Sequence, residues 1–512
     1  MKQKTEKFCH SILQTKVGRS KALANLVISL ASQVAASSVT SLSLNPCYHY
    51  QYSSIRDAIN FLHEEKKESV ASLDEAKCKK MEKKESIASL DEAKRKKMEK
   101  KLLAIKAPHF PKPHLGYYLL NTDITPILRP HSPTLEDRSY VHVSNNRVKG
   151  KTPVDIGYNY SCVGLSARFS NTYGEAPWNL PLSIRRFTTT NTVGLATAEQ
   201  VNDLLDNPKI PLHKELVVNS LDRQYCTPEY IANTHEQENL INIVRLKNNR
   251  ATWHQLSEED VADRREKNKD NRGANAVYGE KYSLKTVEEW NVKANEETQF
   301  DTQLANGRLV TVKMECWKNR LIRTKRGHNM KNKSFNLVSI ILLDRETKEP
   351  IYKRRLWLGV WGKRNNELNL KQIYWAYRRR FDIEHYFRFG KQRLLMEACQ
   401  TPDIEHLDNW MEIVSLAYWL LWVAKDEAEP MAYKWQQYDD RFKARLEKGL
   451  TPSPSEVQRQ LQSIILSFEQ TPFKPKVQKK GKGRDKGTEQ AKRKTYKVVY
   501  KGSKRKKSTI KT

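Results

Sequence analysis

The run Gln372–Leu395 reads QIYWAYRRRFDIEHYFRFGKQRLL. At about 100° per residue on an α-helix, Ala376, Ile383, Phe387, Gly390 and Leu394 share an apolar stripe. Tyr377, Arg380, Glu384 and Lys391 fall on a second, polar stripe roughly 60° wide. Asn369 is placed to be the N-cap, with Gln372 completing a capping box, and Pro402 follows soon after the expected end. The pattern predicts one amphipathic helix with its back on a core and its front carrying a carboxylate among three groups suited to DNA. Taken alone, such a stripe is equally the pattern of a solvated face with i,i+3 and i,i+4 pairs.

Upstream of this helix, apolar β-rich runs are broken by Pro and Gly. Leu115–Thr122, Ile156–Leu165 and Leu182–Phe187 read as strands, Ala196–Leu205 as a short helix, and Glu215–Leu221 and Leu240–Leu246 as further buried strands. The order β-β-β-α-β followed by more α/β predicts a mixed sheet, not a doubly wound parallel one. Residues 248–368 interrupt it: a long polar stretch, Asn248–Asn306, precedes strand-like runs at Arg308–Trp317, Phe335–Asp344 and Arg355–Val360. Helical stretches follow at Leu407–Glu427 and Ser455–Phe468. The fold class expected is therefore α/β, a mixed sheet interrupted by a β-rich insertion.

Residues 1–66 read as an α-helical N-terminal region, with apolar periodicity at Ala22–Val34 and Ile55–Leu62. A tandem repeat follows, ESVASLDEAKCKKMEKK at Glu68–Lys84 and ESIASLDEAKRKKMEKK at Glu85–Lys101. Its period turns the second copy by about 100° on a straight helix, so both apolar sets cannot face one core. The repeat therefore reads as a solvated helix or linker over 67–107. The expected divisions are 1–66, 67–107, a core first part at 108–247, the insertion at 248–368, the core second part with C-terminal helices at 369–470, and a tail at 471–512. That tail holds 17 Lys/Arg against 2 Asp/Glu and reads as disordered.

The 512 residues carry 91 Lys+Arg against 59 Asp+Glu, a net charge of +32, which calls for a polyanionic partner. The longest apolar run, Ile413–Ala424, is too short to span a bilayer, and Met1–Arg19 lacks the apolar core of a signal peptide. No membrane partner is expected. The 7 cysteines are scattered, without a C-x-x-C pair, as in a protein of a reducing cytoplasm. P-loop, dinucleotide-binding and H-E-x-x-H patterns are absent.

The spacing Tyr377-x-x-Arg380-x-x-x-Glu384-x(6)-Lys391 resembles the Y-R-E-K signature of bacterial insertion-sequence DDE transposases, the insertion sequence four family and its relatives. The resemblance implies a ribonuclease-H-like fold, with Glu384 as the third metal-binding carboxylate and Tyr377, Arg380 and Lys391 as contacts to the transposon end. The other two carboxylates are expected after the first and fourth strands, where Asp123 and Asp222 stand. Asp344, which ends a strand inside the insertion, Asp155, which precedes its strand, and Asp382, which faces away from the polar stripe, are weaker candidates. Either Asp in isolation reads as a turn or cap residue; order, strand context and helix signature together favour the catalytic reading.

The implied reaction is Mg²⁺-assisted cleavage and strand transfer of DNA at terminal inverted repeats. Two ions are expected on Asp123, Asp222 and Glu384, with Mn²⁺ able to substitute. The resemblance further implies double-stranded DNA as partner, a homodimer in the DNA complex, a cytoplasmic, nucleoid-associated location, end binding through residues 1–66, and a stacking Trp from the insertion: Trp253, Trp290 or Trp317. The competing readings are a transposase-derived DNA-binding protein without catalysis and, behind it, a cellular nuclease on the same fold.

Overall fold

The computed structural model describes residues 3–14, 20–60, 62, 82–113, 116–143, 153–167, 175–267, 277–304, 306–324, 330–429, 451–468, 485, 487–489 and 492–499, with isolated positions between 438 and 449. Its centre is a mixed sheet. β1 (Tyr118–Leu128) pairs antiparallel with β3 (Val154–Ser166) on one side and parallel with β5 (Val217–Leu221) on the other. The outer edge of β3 is shared by β2 (Ser139–His142) and β4 (Asn179–Arg186), and β5 pairs parallel with β6 (Leu240–Arg245). Helices α5 (Val193–Leu205) and α6 (Pro228–Thr234) connect these strands. The order β4-β3-β1-β5-β6 is compatible with a ribonuclease-H-like core. β5 is buried at all its positions, as befits a parallel strand covered on both faces.

The polar stretch from 248 to 306 is more structured than expected. It holds β7 (Ala251–Gln255), α7 (Glu258–Lys267), β8 (Tyr278–Ser283) and β9 (Glu296–Gln303), ahead of β10 (Leu309–Leu321), β11 (Phe335–Asp344) and β12 (Leu356–Trp361). β9 alternates half-buried and exposed positions, so its sequence EETQFDTQ offers no apolar signal. β12 pairs antiparallel with β6, so these strands continue the central sheet.

α8 (Leu370–Arg378) and α9 (Asp382–Arg393) follow, then α10 (Ile404–Ala424) and α11 (Pro454–Leu466). The capping box forms: Asn369 Oδ1 accepts from Gln372 N at 2.9 Å, and Gln372 Oε1 from Asn369 N at 3.0 Å. The single helix expected over 372–395 is corrected, however. A 3₁₀ turn at Arg379–Phe381 separates α8 from α9. Each 3₁₀ residue advances about 120° where an α residue advances about 100°, so the polar stripe is offset across the break. Tyr377 and Arg380 are buried, while Glu384 is exposed and Lys391 intermediate.

α10 is the core helix. Trp410 and Trp419 are fully buried, and their indole N–H groups donate to the carbonyls of Leu395 and Pro181 at 2.9 and 2.7 Å. Against it pack α1 (Gln3–Gln14), α2 (Ser20–Ser32) and α3 (Ser53–Asn60), whose apolar residues join the same core cluster.

α4 (Glu82–Lys106) contains the second copy of the repeat. Its final turns are not solvated, which corrects the linker reading there: Met98, Leu102, Leu103 and Ile105 enter the core. Glu99 is buried with Arg185, whose Nε and Nη2 donate to Glu99 Oε2 at 3.1 and 2.5 Å. Residues 68–81, most of the first copy, lie outside the described residues. The tail reading also needs correction. Residues 492–499 are fixed to the loop before β2 by the bonds of Tyr496 N to the Pro133 carbonyl and Val499 N to the Arg138 carbonyl, and Val499 bridges Ser139 of β2 in parallel. The local signal, KVVY at Lys497–Tyr500, is too short to register against so basic a background.

Removing Glu99 takes two bonds from the buried Arg185 guanidinium but leaves it Asp203, whose Oδ2 accepts from Nη1 at 2.7 Å. The cost is therefore that of hydrogen bonds to a charged group, about 1.5–3 kcal/mol. Glu99→Ala is accordingly expected to destabilise the fold by that amount in denaturant unfolding. A loss below about 1 kcal/mol, the scale of an exposed pair, would refute the buried-anchor role of α4.

Candidate active site

Asp123 lies within β1, not after it, and β1 is an internal strand; this corrects the expectation that Asp123 follows the first strand. Asp222 directly follows β5 and is the N-cap of a 3₁₀ turn at Arg223–Tyr225, where its side chain makes no capping bond. The register aligns Thr122 with Leu221 on parallel strands, so Asp123 and Asp222 occupy the next position along, side by side. Glu384 sits in the first turn of α9.

Arg380 joins two of the three. Its Nη1 donates to Asp123 Oδ2 at 3.0 Å, and its Nη2 lies 3.7 Å from Glu384 Oε1. Its guanidinium carbon also stands 4.6 Å from the Phe381 ring centre and 5.9 Å from that of Tyr377. Burial pushes the Asp123 carboxyl up to about 6, opposed by Arg380 and by the Ile124 backbone N–H, and aided by the charges of Asp222 and Glu384. The Tyr377 phenol is likewise raised by burial. Lys391 Nζ donates to the Pro126 carbonyl at 2.8 Å and pairs with Glu397 at 2.8 Å, fastening α9 to the distal half of β1.

Two hydrogen bonds place the helices over the carboxylates. Asn121 Nδ2 donates to the Arg379 carbonyl at 3.0 Å, and Ser220 Oγ to the Ala376 carbonyl at 3.0 Å. The donors are the residues two before Asp123 and Asp222, hence on the same faces of their strands.

The donor set is chemically suited to Mg²⁺, being three hard carboxylate oxygen sources with no sulfur or imidazole. Among the described residues, though, no three His, Cys, Asp or Glu side chains stand close enough to hold an ion together. Arg380 stands where such a cation would act, neutralising Asp123 and reaching Glu384.

Beside these residues runs a cleft of about 1210 Å³ between α8 and the strands that follow β6. Arg223, Arg245, Arg355 and Arg378 line it with Tyr377 and Phe381, and Glu288 is the single acid among its lining residues. Such a lining suits a phosphodiester backbone. Sequence reasoning did not single out these cations, although the runs Lys353-Arg354-Arg355 and Arg378-Arg379-Arg380 signalled them. Trp317 is buried against Trp290 and Trp357, and Trp290 donates to the Ser283 carbonyl at 3.0 Å, so both pack the fold. Trp253 is half-buried beside Tyr278. Asp344 is held by Arg308 and caps its own turn at Glu346 and Thr347.

Residues 183–420 match the family model of the transposase DDE domain. The match runs from β4 into α10, takes in Asp222, Tyr377, Arg380, Glu384 and Lys391, and supports an insertion-sequence transposase. It covers under half of the 512 residues and leaves Asp123 outside. Comparison with curated proteins found no match.

Because Arg380 holds the Asp123 carboxyl down against burial, Arg380→Gln should raise it further. In metal-free protein the Asp123 carboxyl carbon resonance is then expected to titrate above about 6. The sign for stability follows. A carboxyl whose folded pKa lies above its ordinary 3.8 favours folding at low pH, and that contribution is lost as pH rises through about 6. A titration at or below the wild-type value in the variant would sink the assignment of Arg380 as its counter-ion.

Proposed function

We propose that the protein is a DDE transposase that cleaves and joins DNA at the terminal inverted repeats of an insertion sequence, using Mg²⁺. The observation that carries this reading is the side-by-side register of Asp123 and Asp222, with Glu384 linked to Asp123 through Arg380. Asp123, Asp222 and Glu384 would hold the metal, two ions with Mn²⁺ as a substitute. When bound, the metal supplies charge neutralisation for both the attacking and the leaving oxygen. The residues of the chain supply the rest. The basic cleft takes the backbone of the DNA, and Arg380, once a metal ion neutralises Asp123, is free to pair with a phosphate. Tyr377 and Phe381 offer aromatic surface next to that guanidinium. Lys391 fixes α9 against β1 and presents charge to the same DNA.

The DNA partner is double-stranded: transposon ends and target. A homodimer would hold two ends, and the chain would act at the nucleoid. Among the described residues no helix is long and apolar enough to cross a membrane. For end recognition by residues 1–66, α1 and α3 offer exposed sides, while α2 is buried along almost its whole length.

One observation favours the second reading, a transposase-derived DNA-binding protein without catalysis. Arg380 ties up Asp123 and reaches Glu384, and no ready three-ligand cage exists among the described residues. The two readings part in a plasmid cleavage assay with the parent element's ends in Mg²⁺. Wild type is expected to cut at the ends, and Glu384→Gln to lose at least about a hundredfold in rate, the scale on which one charge-stabilising group acts. Equal, end-specific cutting by both would remove Glu384 from the metal site. Binding without cutting by either, in Mg²⁺ and in Mn²⁺, would establish the second reading.

A further inference from the structure

The segment Lys492–Val499 is tied by its backbone to the loop before β2 and meets β2 itself through a single bridge, Val499 to Ser139. Tyr496 N donates to the Pro133 carbonyl at 2.8 Å, and Val499 N to the Arg138 carbonyl at 2.7 Å. Arg138 completes the attachment. Its guanidinium is buried and donates to the carbonyls of Leu135, Arg129 and Pro130 within its own loop, and through Nη2 to the Tyr496 carbonyl at 3.3 Å. A buried cation satisfied only by carbonyls sets the shape of the loop onto which the segment docks. What the docked segment presents to solvent is charge: Lys492, Arg493, Lys494 and Lys497 are all exposed.

The place of docking follows from the register. Val499 bridges Ser139, Ser139 pairs with Gly157, and Gly157 pairs with Leu128, so one rung of the sheet joins the segment to the end of β1. Asp123 lies on the same strand, five residues earlier. Rises of about 3.3 Å per residue and strand spacings of about 4.8 Å put Val499, the anchor at the end of the cationic run, roughly 20–25 Å from Asp123, on the side where Lys391 meets β1. That distance is about six or seven steps of duplex at ~3.4 Å each.

We infer that the docked Lys492–Val499 segment is a second DNA contact, a cationic edge that holds the backbone of the duplex and is anchored about six or seven base-pair steps from the point of cleavage. The backbone anchor makes this a fixed contact, unlike the mobile counterion arm that the composition of the tail alone would provide. The inference rests on the DNA-processing reading above. It specifies where the duplex runs after it leaves the carboxylates, along the β2 edge of the sheet.

The test uses the full chain on a short duplex carrying the parent element's end, with hydroxyl-radical footprinting and binding measured across a salt series. In one variant Lys492, Arg493, Lys494 and Lys497 are all changed to Ala, which keeps the backbone anchor. In the other, Val499→Pro keeps every charge and removes the donor to Arg138. Both are checked for a wild-type melting temperature. The four-alanine variant is expected to lose about 0.9 from the slope of log K against log salt for each contact removed. Val499→Pro should keep most of the affinity and lose the protected patch six or seven base pairs from the cut. An unchanged slope and footprint in the four-alanine variant overturns the inference. Wild type that shows the patch and the tail-dependent slope but cuts nothing would sustain the contact while refuting the transposase reading. Wild type that binds no duplex overturns both.

Discussion

Two buried side-chain hydrogen bonds govern the arrangement of the candidate site. Asn121 and Ser220 are fully buried, on neighbouring parallel strands, and each gives a proton to a carbonyl of the α8 helix or its 3₁₀ continuation. In a straight helix the carbonyls of Ala376 and Arg379 would be committed to the amides four residues on. The 3₁₀ turn at Arg379–Phe381 loosens that commitment and turns the chain toward the sheet. The same turn drops Arg380 onto Asp123. These two donors fix the backbone of the helix to the sheet, where the other polar links, Arg380 to Asp123 and Lys391 to the Pro126 carbonyl, are made by long side chains. A charge site needs its supporting groups held to a fraction of an ångström.

The sequence made some of this legible and hid the rest for identifiable reasons. Runs such as VVNSL and LINIVR declare buried strands because both their faces are covered. The capping box at Asn369 was readable because it depends on residues three apart and nothing else. The break at Arg379–Phe381 was not, because it is imposed by Asn121 and Ser220, which lie more than 150 positions away in the chain. Strand β9 was invisible because half its residues face water. Asp123 and Asp222 stand out by their place after apolar runs, yet β1 continues past Asp123 through Ile124, Pro126 and Ile127, so the Asp123 carboxyl is half-buried within the strand and not beyond its end. The buried end of α4 escaped because Glu99 and Lys106 carry charge and are satisfied by partners distant in sequence, Arg185 and the Pro181 carbonyl.

The pairing of Asp123 with Arg380 is poorly explained as a device for stability. A buried ion pair gains little over apolar residues of the same volume, since the desolvation of two charges offsets their attraction. Here the attraction does not even prevail for the carboxyl, whose pKa burial drives up to about 6 despite the guanidinium at 3.0 Å. A group held in so unfavourable a state is better accounted for by what it does when its partner changes. A metal ion and a phosphate would each take one half of the pair, the ion the carboxylate and the phosphate the guanidinium, and each exchange would relieve the cost that the other half bears alone.

The same logic of unsatisfied groups bears on the far edge of the sheet. A terminal strand exposes a row of unpaired amides and carbonyls, which natural proteins cover or charge to prevent pairing with another chain. β2 is such a strand, and the segment ending at Val499 covers part of it. That segment brings its own free edge, but one carrying Lys492, Arg493, Lys494 and Lys497, whose charge repels a second copy of so basic a chain. Protection against self-pairing and attraction for a polyanion are thus one property of one segment. An edge that needed only covering could have used any polar sequence; four cations in six residues give it repulsion of its own kind and suit the anionic partner inferred above.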